Sequence, residues 1–201
     1  MSKLESVSTF AFAEMFDQKI EEILSLEDNR KLVGELAYNN FKKYGGCAQS
    51  IMQAFMDVLG LREDLCFQAL GGLHGGGRCG LTCGALNTGF MLFSMVLGRE
   101  KIDSTEIEED RKLMMESCHK LARWFKLEYK STVCSEITGY DWFGLTDLVT
   151  QHPTPTEKDR KENCARLSGG AAYKIAEILS DLVIRHEAAM PLKMSLKKYW
   201  C

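Results

Sequence analysis

The chain has 201 residues and a formal net charge of −3, with 25 Lys and Arg against 28 Asp and Glu. A chain of this length can bury a sizeable core unaided, and its mixed charges favour neither nucleic acid nor a membrane surface as a partner. Its first residues, MSKLESVSTFAFAEMF, lack a cationic stretch followed by an apolar one, so we expect no secretory signal and a cytoplasmic location.

Eight cysteines are unusual for such a chain. In the cytoplasm they would stay reduced, so a disulfide scaffold does not explain them. The longest strongly apolar stretch, from Phe90 to Leu97, is far too short to span a bilayer and is expected in the core. Metal binding, catalysis and core packing remain as roles for the cysteines.

The first half of the chain predicts helices. Only three prolines occur, and apolar residues recur at helical spacing. A helical region is expected from about Thr9 to Asn39, with a break near Glu27 to Asn29 where Asp28 would cap a second piece. After Gly45 and Gly46 a second helix follows, and it ends at Gly60. Its apolar stripe contains Cys47, Ile51, Phe55 and Val58.

A glycine-rich segment, GGLHGGGRCGLTCGALNTG, follows a short helix predicted around Glu63 to Leu70. Eight of its nineteen residues, from Gly71 to Gly89, are glycine, a composition that regular helices and strands do not tolerate well. We expect a backbone-rich loop that becomes helix near Cys83. The helix it opens runs to about Gly98 and is apolar on most faces, so it should be central and buried.

Two long helices complete the prediction. One begins at a capping box formed by Thr105 and Glu108 and runs to about Lys130, and a short or irregular segment then covers Cys134 to Gly144. The other begins at Thr156, with Asp159 three residues on. Its apolar stripe is Cys164, Leu167, Ala171, Ile175, Ile178 and Leu182.

The fold class is therefore all-α: a single-domain helical bundle with a glycine-rich loop before a central buried helix. We divide the chain into an N-terminal helical extension over 1–35, a cysteine-containing redox domain over 36–190 and an exposed basic tail over 191–201.

Any cysteine site must be assembled from distant segments, because the chain has no C-x-x-C pair. Cys47 and Cys83 each stand at a predicted helix start after glycines, where unpaired N–H groups and the helix dipole lower a thiol's pKa. Glycine amides can also approach and hydrogen-bond a cysteine sulfur or an inorganic sulfide. Cys79 is expected in the loop.

Core packing is the competing interpretation, because reduced cysteine behaves as a small hydrophobe. Core packing is favoured for Cys66 and Cys118. For Cys164, which lies on an apolar stripe, core packing and a functional role are equally supported. His74 is the only histidine in the glycine loop, and it could serve as a ligand, as a proton donor or as a turn residue. No hydrolase triad and no nucleotide-binding loop is indicated.

A cysteine in GGCAQSI, a glycine loop closing in CGALNTG, and the isolated Cys134 and Cys164 together resemble the C_GCAxxG_C_C family of redox-active proteins. The resemblance covers roughly Leu36 to Leu182. Cys83, Gly84 and Ala85 match its second motif, whereas Thr88 stands where the family has glycine. A related module accompanies haem segments in split-Soret cytochromes, where an iron-sulfur centre is implied. The chain has no haem-attachment motif.

The leading hypothesis is an iron-sulfur electron-transfer protein in which Cys47, Cys83, Cys134 and Cys164 ligate one cluster, [2Fe-2S] being favoured. Cys79 is the reserve ligand, and Gly84 belongs to the cofactor-binding loop. One alternative is a thiol-disulfide oxidoreductase that uses a low-pKa Cys83 or Cys47. Another is a structural zinc site on the same four cysteines. The redox partner is undefined, and a homodimer is left open.

Overall fold

The computed structural model describes residues 20–61, 64–99, 108–140, 142 and 156–197, without the side chains of 157 and 187–197. The described residues form an all-α fold without a β-strand, as the sequence predicts. Its helices are α1 (Glu27–Tyr44), α2 (Cys47–Leu59), α3 (Asp64–Ala69), α4 (Gly84–Leu97), α5 (Glu108–Glu128), α6 (Cys134–Thr138) and α7 (Glu157–Lys197).

The break in the first helical region lies earlier than predicted. Residues 20–24 are helical, and α1 begins at Glu27 behind Leu26, which provides no side-chain cap. Asp28 therefore lies inside the helix rather than at its cap. Asn29 and Arg30 instead turn back and donate to the carbonyl oxygens of Ile23 and Leu24, at 2.8 and 2.6 Å, which satisfies the end of the preceding helical turns. The helix also runs on to Tyr44, past the predicted end at Asn39.

The glycine-rich segment is irregular, as expected. A 3₁₀ turn covers Leu70–Leu73, and a wide turn covers Gly76–Gly80. Within the wide turn Gly77 and Arg78 have left-handed backbones, with φ of 70° and 57°. Helix α4 then begins behind Cys83, where the sequence places the transition.

Helix α4 lies at the centre of the bundle, against α2, α5 and α7. As expected of a central helix, Ala85, Phe93 and Leu97 are buried, and Phe90 is half-buried. Thr88 is also buried, and its single hydroxyl proton is shared between the carbonyl oxygens of Gly84 and Ala48, at 2.9 and 3.3 Å. It therefore ties α4 to α2 one residue beyond Cys47.

The start of α7 confirms the predicted cap. The Thr156 hydroxyl lies 2.5 Å from an Asp159 carboxylate oxygen, and the Asp159 amide donates to the same hydroxyl at 3.2 Å. The Thr105 part of the other predicted capping box lies outside the described residues. Helix α7 continues through Pro191 to Lys197.

Two glycines allow α1 and α7 to pack closely. A Cβ on Gly34 would lie 3.1 Å from the carbonyl oxygen of Gly169, and a Cβ on Gly169 would lie 3.0 Å from that of Gly34. This contact fixes how far α7 approaches the rest of the bundle, and with it the position of Cys164. In the described residues no helix combines the length and apolar character that crossing a membrane requires.

Candidate functional site

Cys47 opens helix α2 directly after a left-handed turn. Gly45 and Gly46 have φ of 74° and 72°, a conformation that other residues rarely adopt. Across from it, a Cβ placed on Gly84 would lie only 2.8 Å from the Cys47 sulfur. The first residue of α4 must therefore be glycine for this sulfur to occupy its position.

Cys83 and Cys134 are brought together by a short antiparallel backbone pairing. Thr82 and Val133 form an isolated β-bridge. Around it, the Cys83 amide donates to the carbonyl oxygen of Thr132 at 2.9 Å, and the Cys134 amide donates to that of Leu81 at 2.6 Å. Two cysteines far apart in sequence thus begin α4 and α6 side by side.

The four predicted ligand cysteines all line one cavity of about 980 Å³. Cys47, Cys83 and Cys134 are buried, and Cys164 is half-buried on the face of α7. All the cysteines of the described residues are reduced. Among those residues no three His, Cys, Asp or Glu side chains are spaced to hold a single metal ion.

Cys47 and Cys83 form a hydrogen-bonded pair in which their pKa values move in opposite directions. The hydrogen bond from Cys83 holds the pKa of Cys47 well below its usual value against the opposing effect of burial, with help from His74 and the Gly75 amide. The same hydrogen bond, together with burial, raises the pKa of Cys83 well above its usual value. The proton therefore stays on Cys83 and the thiolate forms at Cys47. Because Cys83 also stands at a helix start, that position alone does not lower the pKa of a buried thiol.

The other two thiols are kept protonated at neutral pH when no ligand compensates them. Burial, followed by the nearby Cys47, raises the pKa of Cys134 to about 12 and that of Cys164 to about 11. The positive charge of Arg160 opposes both shifts. A cationic group that entered the cavity would favour both thiolates by the same Coulombic effect.

A side-chain relay holds His74 against Cys47. The Gln49 amide nitrogen donates to the carbonyl oxygen of Phe67 at 3.0 Å, so the amide oxygen faces His74 Nε2 at 3.1 Å. His74 Nδ1 has no oxygen or nitrogen partner among the described residues. His74 also hydrogen-bonds the Cys47 sulfur, and this bond is one of the causes of the lowered pKa of Cys47.

An arginine stacked on two aromatic rings forms another wall of the cavity. The guanidinium carbon of Arg160 lies 4.9 Å from the ring centroid of Tyr140 and 5.5 Å from that of Trp142. Trp142 packs in turn on the glycine loop, where a Cβ on Gly75 or Gly80 would lie 2.6 or 2.9 Å from its indole. Glycine at these positions lets the indole lie flat on the loop.

The remaining cysteines lie elsewhere. Cys79 is exposed, donates to the carbonyl oxygen of Gly77 at 3.3 Å and does not line the cavity, so the structure does not bring the reserve ligand to the other four. Cys66 and Cys118 are half-buried and pack against the hydrophobic core, as expected for them.

The spacing of these elements matches a known family. Residues 46–178 match the model of the family described as "Putative redox-active protein (C_GCAxxG_C_C)". The chain belongs to the C_GCAxxG_C_C family. The match to C_GCAxxG_C_C covers all four cavity cysteines and supports a redox role for the protein. No curated protein and no solved structure matches the chain.

The chain's departure from the C_GCAxxG_C_C pattern at Thr88 leaves the helix intact. Thr88 lies within the continuous helix α4, where its hydroxyl bonds replace the open space that glycine would leave. Gly89, one residue later, takes over a close approach, because a Cβ there would clash with Leu121 and Ile175 of the neighbouring helices.

Among the cavity residues that sequence reasoning overlooked are Gln49, Trp142 and Arg160. Two of them carried a readable signal, since Gln49 lies two residues after Cys47 and Arg160 lies one helical turn before Cys164. Trp142 had no such signal, because its placement follows from packing on the glycine loop.

Proposed function

We propose that this protein is an electron-transfer protein that holds an iron-sulfur cluster, [2Fe-2S], between Cys47, Cys83, Cys134 and Cys164. One observation carries the proposal: thiols from four segments that are distant in sequence face one cavity. Cysteines used only as small hydrophobes have no reason to gather around an open space.

The donor set fits such a cluster. Four cysteine thiolates are the usual ligands of [2Fe-2S], in which each iron takes two of them. Cys47 and Cys83 form one close pair, and Cys134 and Cys164 supply two further thiols on the same cavity.

When bound, the cluster would supply a one-electron redox centre. The chain's own residues would set its surroundings. The Gly75 amide and His74 hydrogen-bond the Cys47 sulfur, and such bonds tune the potential of a cluster. Gly84 gives that sulfur its space.

Anaerobic iron and sulfide analysis tests the proposal. Wild-type protein reconstituted without oxygen should absorb in the visible and contain stoichiometric iron and sulfide, and Cys83→Ser should lose most of both. Cys118→Ser is the matched control, since Cys118 lies on α5 away from the cavity. Iron-free wild-type protein after reconstitution would reject the cluster.

A second function is favoured by the Cys47–Cys83 hydrogen bond. A thiolate beside a protonated thiol is the arrangement that precedes disulfide formation, in which the two sulfurs bond and two electrons and the one remaining thiol proton leave. The electron acceptor would be a disulfide of a partner. If the protein binds no iron, peptide mapping after mild oxidation should find a Cys47–Cys83 disulfide.

A further inference from the structure

The cavity is larger and more cationic than the four thiols require. Its volume of about 980 Å³ lies at the upper end of the range of small-molecule sites. Five cationic side chains line it against one carboxylate, that of Asp57, although the whole chain is acidic. The cationic side chains are Lys42, which pairs with Glu162 at 2.6 Å, and Lys43, Arg78, Arg160 and Lys161.

The charges and the thiols occupy different depths. Arg78, Lys42 and Lys43 are exposed, whereas Cys47 and Cys83 are buried. Arg160 is intermediate, close enough for its charge to act on Cys134 and Cys164. The thiols therefore form the floor of the cavity and the cations its mouth, with Arg160 between them.

Two residues of the cavity wall each contain a buried N–H donor without an acceptor. Arg160 Nε and Trp142 Nε1 have no hydrogen-bond partner among the described residues, although both atoms are shielded from solvent. Each is a donor only, so neither can be satisfied by changing its own protonation. Buried donors of this kind normally have a partner, and an acceptor oxygen bound at the cavity wall would provide one.

The stacking of Arg160 shows that the donors are held in place. Its guanidinium lies over the rings of Tyr140 and Trp142, and Trp142 is seated on Gly75 and Gly80. A planar guanidinium held in this way presents its remaining N–H edge to a carboxylate or phosphate, which it binds through paired hydrogen bonds.

We propose that the cavity is a binding site for a small organic anion, whose carboxylate or phosphate oxygens accept from Arg160 and Trp142 directly above the cysteine floor. The anion would be the small-molecule substrate or electron partner of the thiol site, and that purpose rests on the proposed function. The binding of the anion does not depend on the proposed function, because the donors are present whether or not a cluster forms.

Isothermal titration calorimetry on the full chain, before and after anaerobic reconstitution, tests the site. Succinate and glycerol 3-phosphate are the anionic probes. Succinamide and glycerol are their uncharged counterparts, and ionic strength is matched with sodium chloride. The site predicts binding of at least one anion and of neither neutral compound. The preferred anion then assigns the oxygen group as carboxylate or phosphate.

Variants connect any binding to the named donors. Arg160→Met keeps the apolar stem and should weaken binding at least tenfold, while Trp142→Phe keeps the ring and should weaken it several-fold. Arg166→Met is the matched control, because Arg166 lies on α7, is exposed, pairs with Glu162 and does not line the cavity. It should bind like the parent.

The outcomes separate this proposal from the cluster. Anions that bind no better than their neutral counterparts, or an unchanged affinity in both Arg160→Met and Trp142→Phe, would overturn the anion site and leave the iron analysis standing. Iron-free protein that still binds the anion through Arg160 would reject the cluster and retain the site. If Arg160→Met does not fold, the anion affinity of Trp142→Phe alone tests the site.

Discussion

The Cα of Gly84 faces the sulfur of Cys47 so closely that a methyl group on it would lie 2.8 Å from Sγ and 2.6 Å from the carbonyl oxygen of Leu73. One residue therefore sets both the start of α4 and the position of a cavity thiol on α2. Because the Leu73 carbonyl belongs to the backbone, moving it would be costly. An added methyl group would therefore displace the sulfur or the helix.

Gly84→Ala should disturb the site and the fold together. Overpacking of this kind typically costs about 1–3 kcal/mol, and the displaced sulfur should reduce iron retention after reconstitution. Urea unfolding and iron analysis measure the two effects. Gly72→Ala is the control, because a Cβ at Gly72 meets nothing within 4 Å. Equal behaviour of the two variants would contradict the close contact.

The lowered pKa of Cys47 predicts an alkylation profile. The thiolate is the nucleophile, so in reduced, iron-free protein iodoacetamide should modify Cys47 at a rate that persists as the pH falls below the usual range for a thiol. Cys134, with its pKa raised to about 12, should stay unmodified at neutral pH. Peptide mapping by mass spectrometry follows both residues in one sample.

Removing Cys83 should abolish much of that reactivity. The Cys83 hydrogen bond is the largest cause of the lowered pKa of Cys47, so Cys83→Ala should shift the alkylation profile of Cys47 to higher pH. A profile unchanged by this substitution would show that the two thiols do not share a proton.

His74 should support the Cys47 thiolate through its hydrogen bond. Replacing it by Phe should slow alkylation at pH 7 by roughly tenfold, the effect of losing a hydrogen bond to a charged group worth about 1.5 kcal/mol. Gln49→Leu should slow it in the same direction but less, since Gln49 acts only by fixing the imidazole. Gln53→Leu, on the same helix with its side chain bound to Asp57, is the control.

Glu162 predicts a pH dependence of stability. Its carboxylate receives Lys42 at 2.6 Å, Arg166 at 2.9 Å and the Tyr38 hydroxyl at 3.1 Å, and joins α1 to α7. Hydrogen bonds from Lys42 and Arg166 lower its pKa from 4.5 to about 2. A lowered acid pKa contributes stability that is present above pH 4.5 and is lost as the pH falls through about 2.

Glu162→Gln should therefore destabilise the protein at neutral pH, and the difference from wild type should shrink as the pH falls from about 4.5 towards 2. Urea unfolding across this range measures it. Glu177→Gln, whose parent carboxylate pairs with Lys174 only within α7, is the control. A difference that stays constant with pH would show that Glu162 does not act through its charge.

The helices, the glycine turns and the start of α4 at Cys83 were predictable because they depend on local chemistry. Gly45 and Gly46 require a left-handed turn, and breaker-free apolar stripes favour helix whatever their neighbours. The break before α1 was misplaced because no side chain caps that helix. The preceding helical turns are instead terminated by the side chains of Asn29 and Arg30, which donate to carbonyl oxygens of those turns.

The sequence by itself determined that this is an all-α chain with two cysteines at glycine-led helix starts and the motif order of the C_GCAxxG_C_C family. Only the tertiary structure decided that Cys164, which sequence could not distinguish from a core cysteine, faces the same cavity as Cys47, and that Arg160 and Trp142 form its wall. The physical reason is that a helical pattern fixes which residues share a face. What that face meets depends on how helices dock, here through the contact of Gly34 with Gly169 and the pairing of Thr82 with Val133.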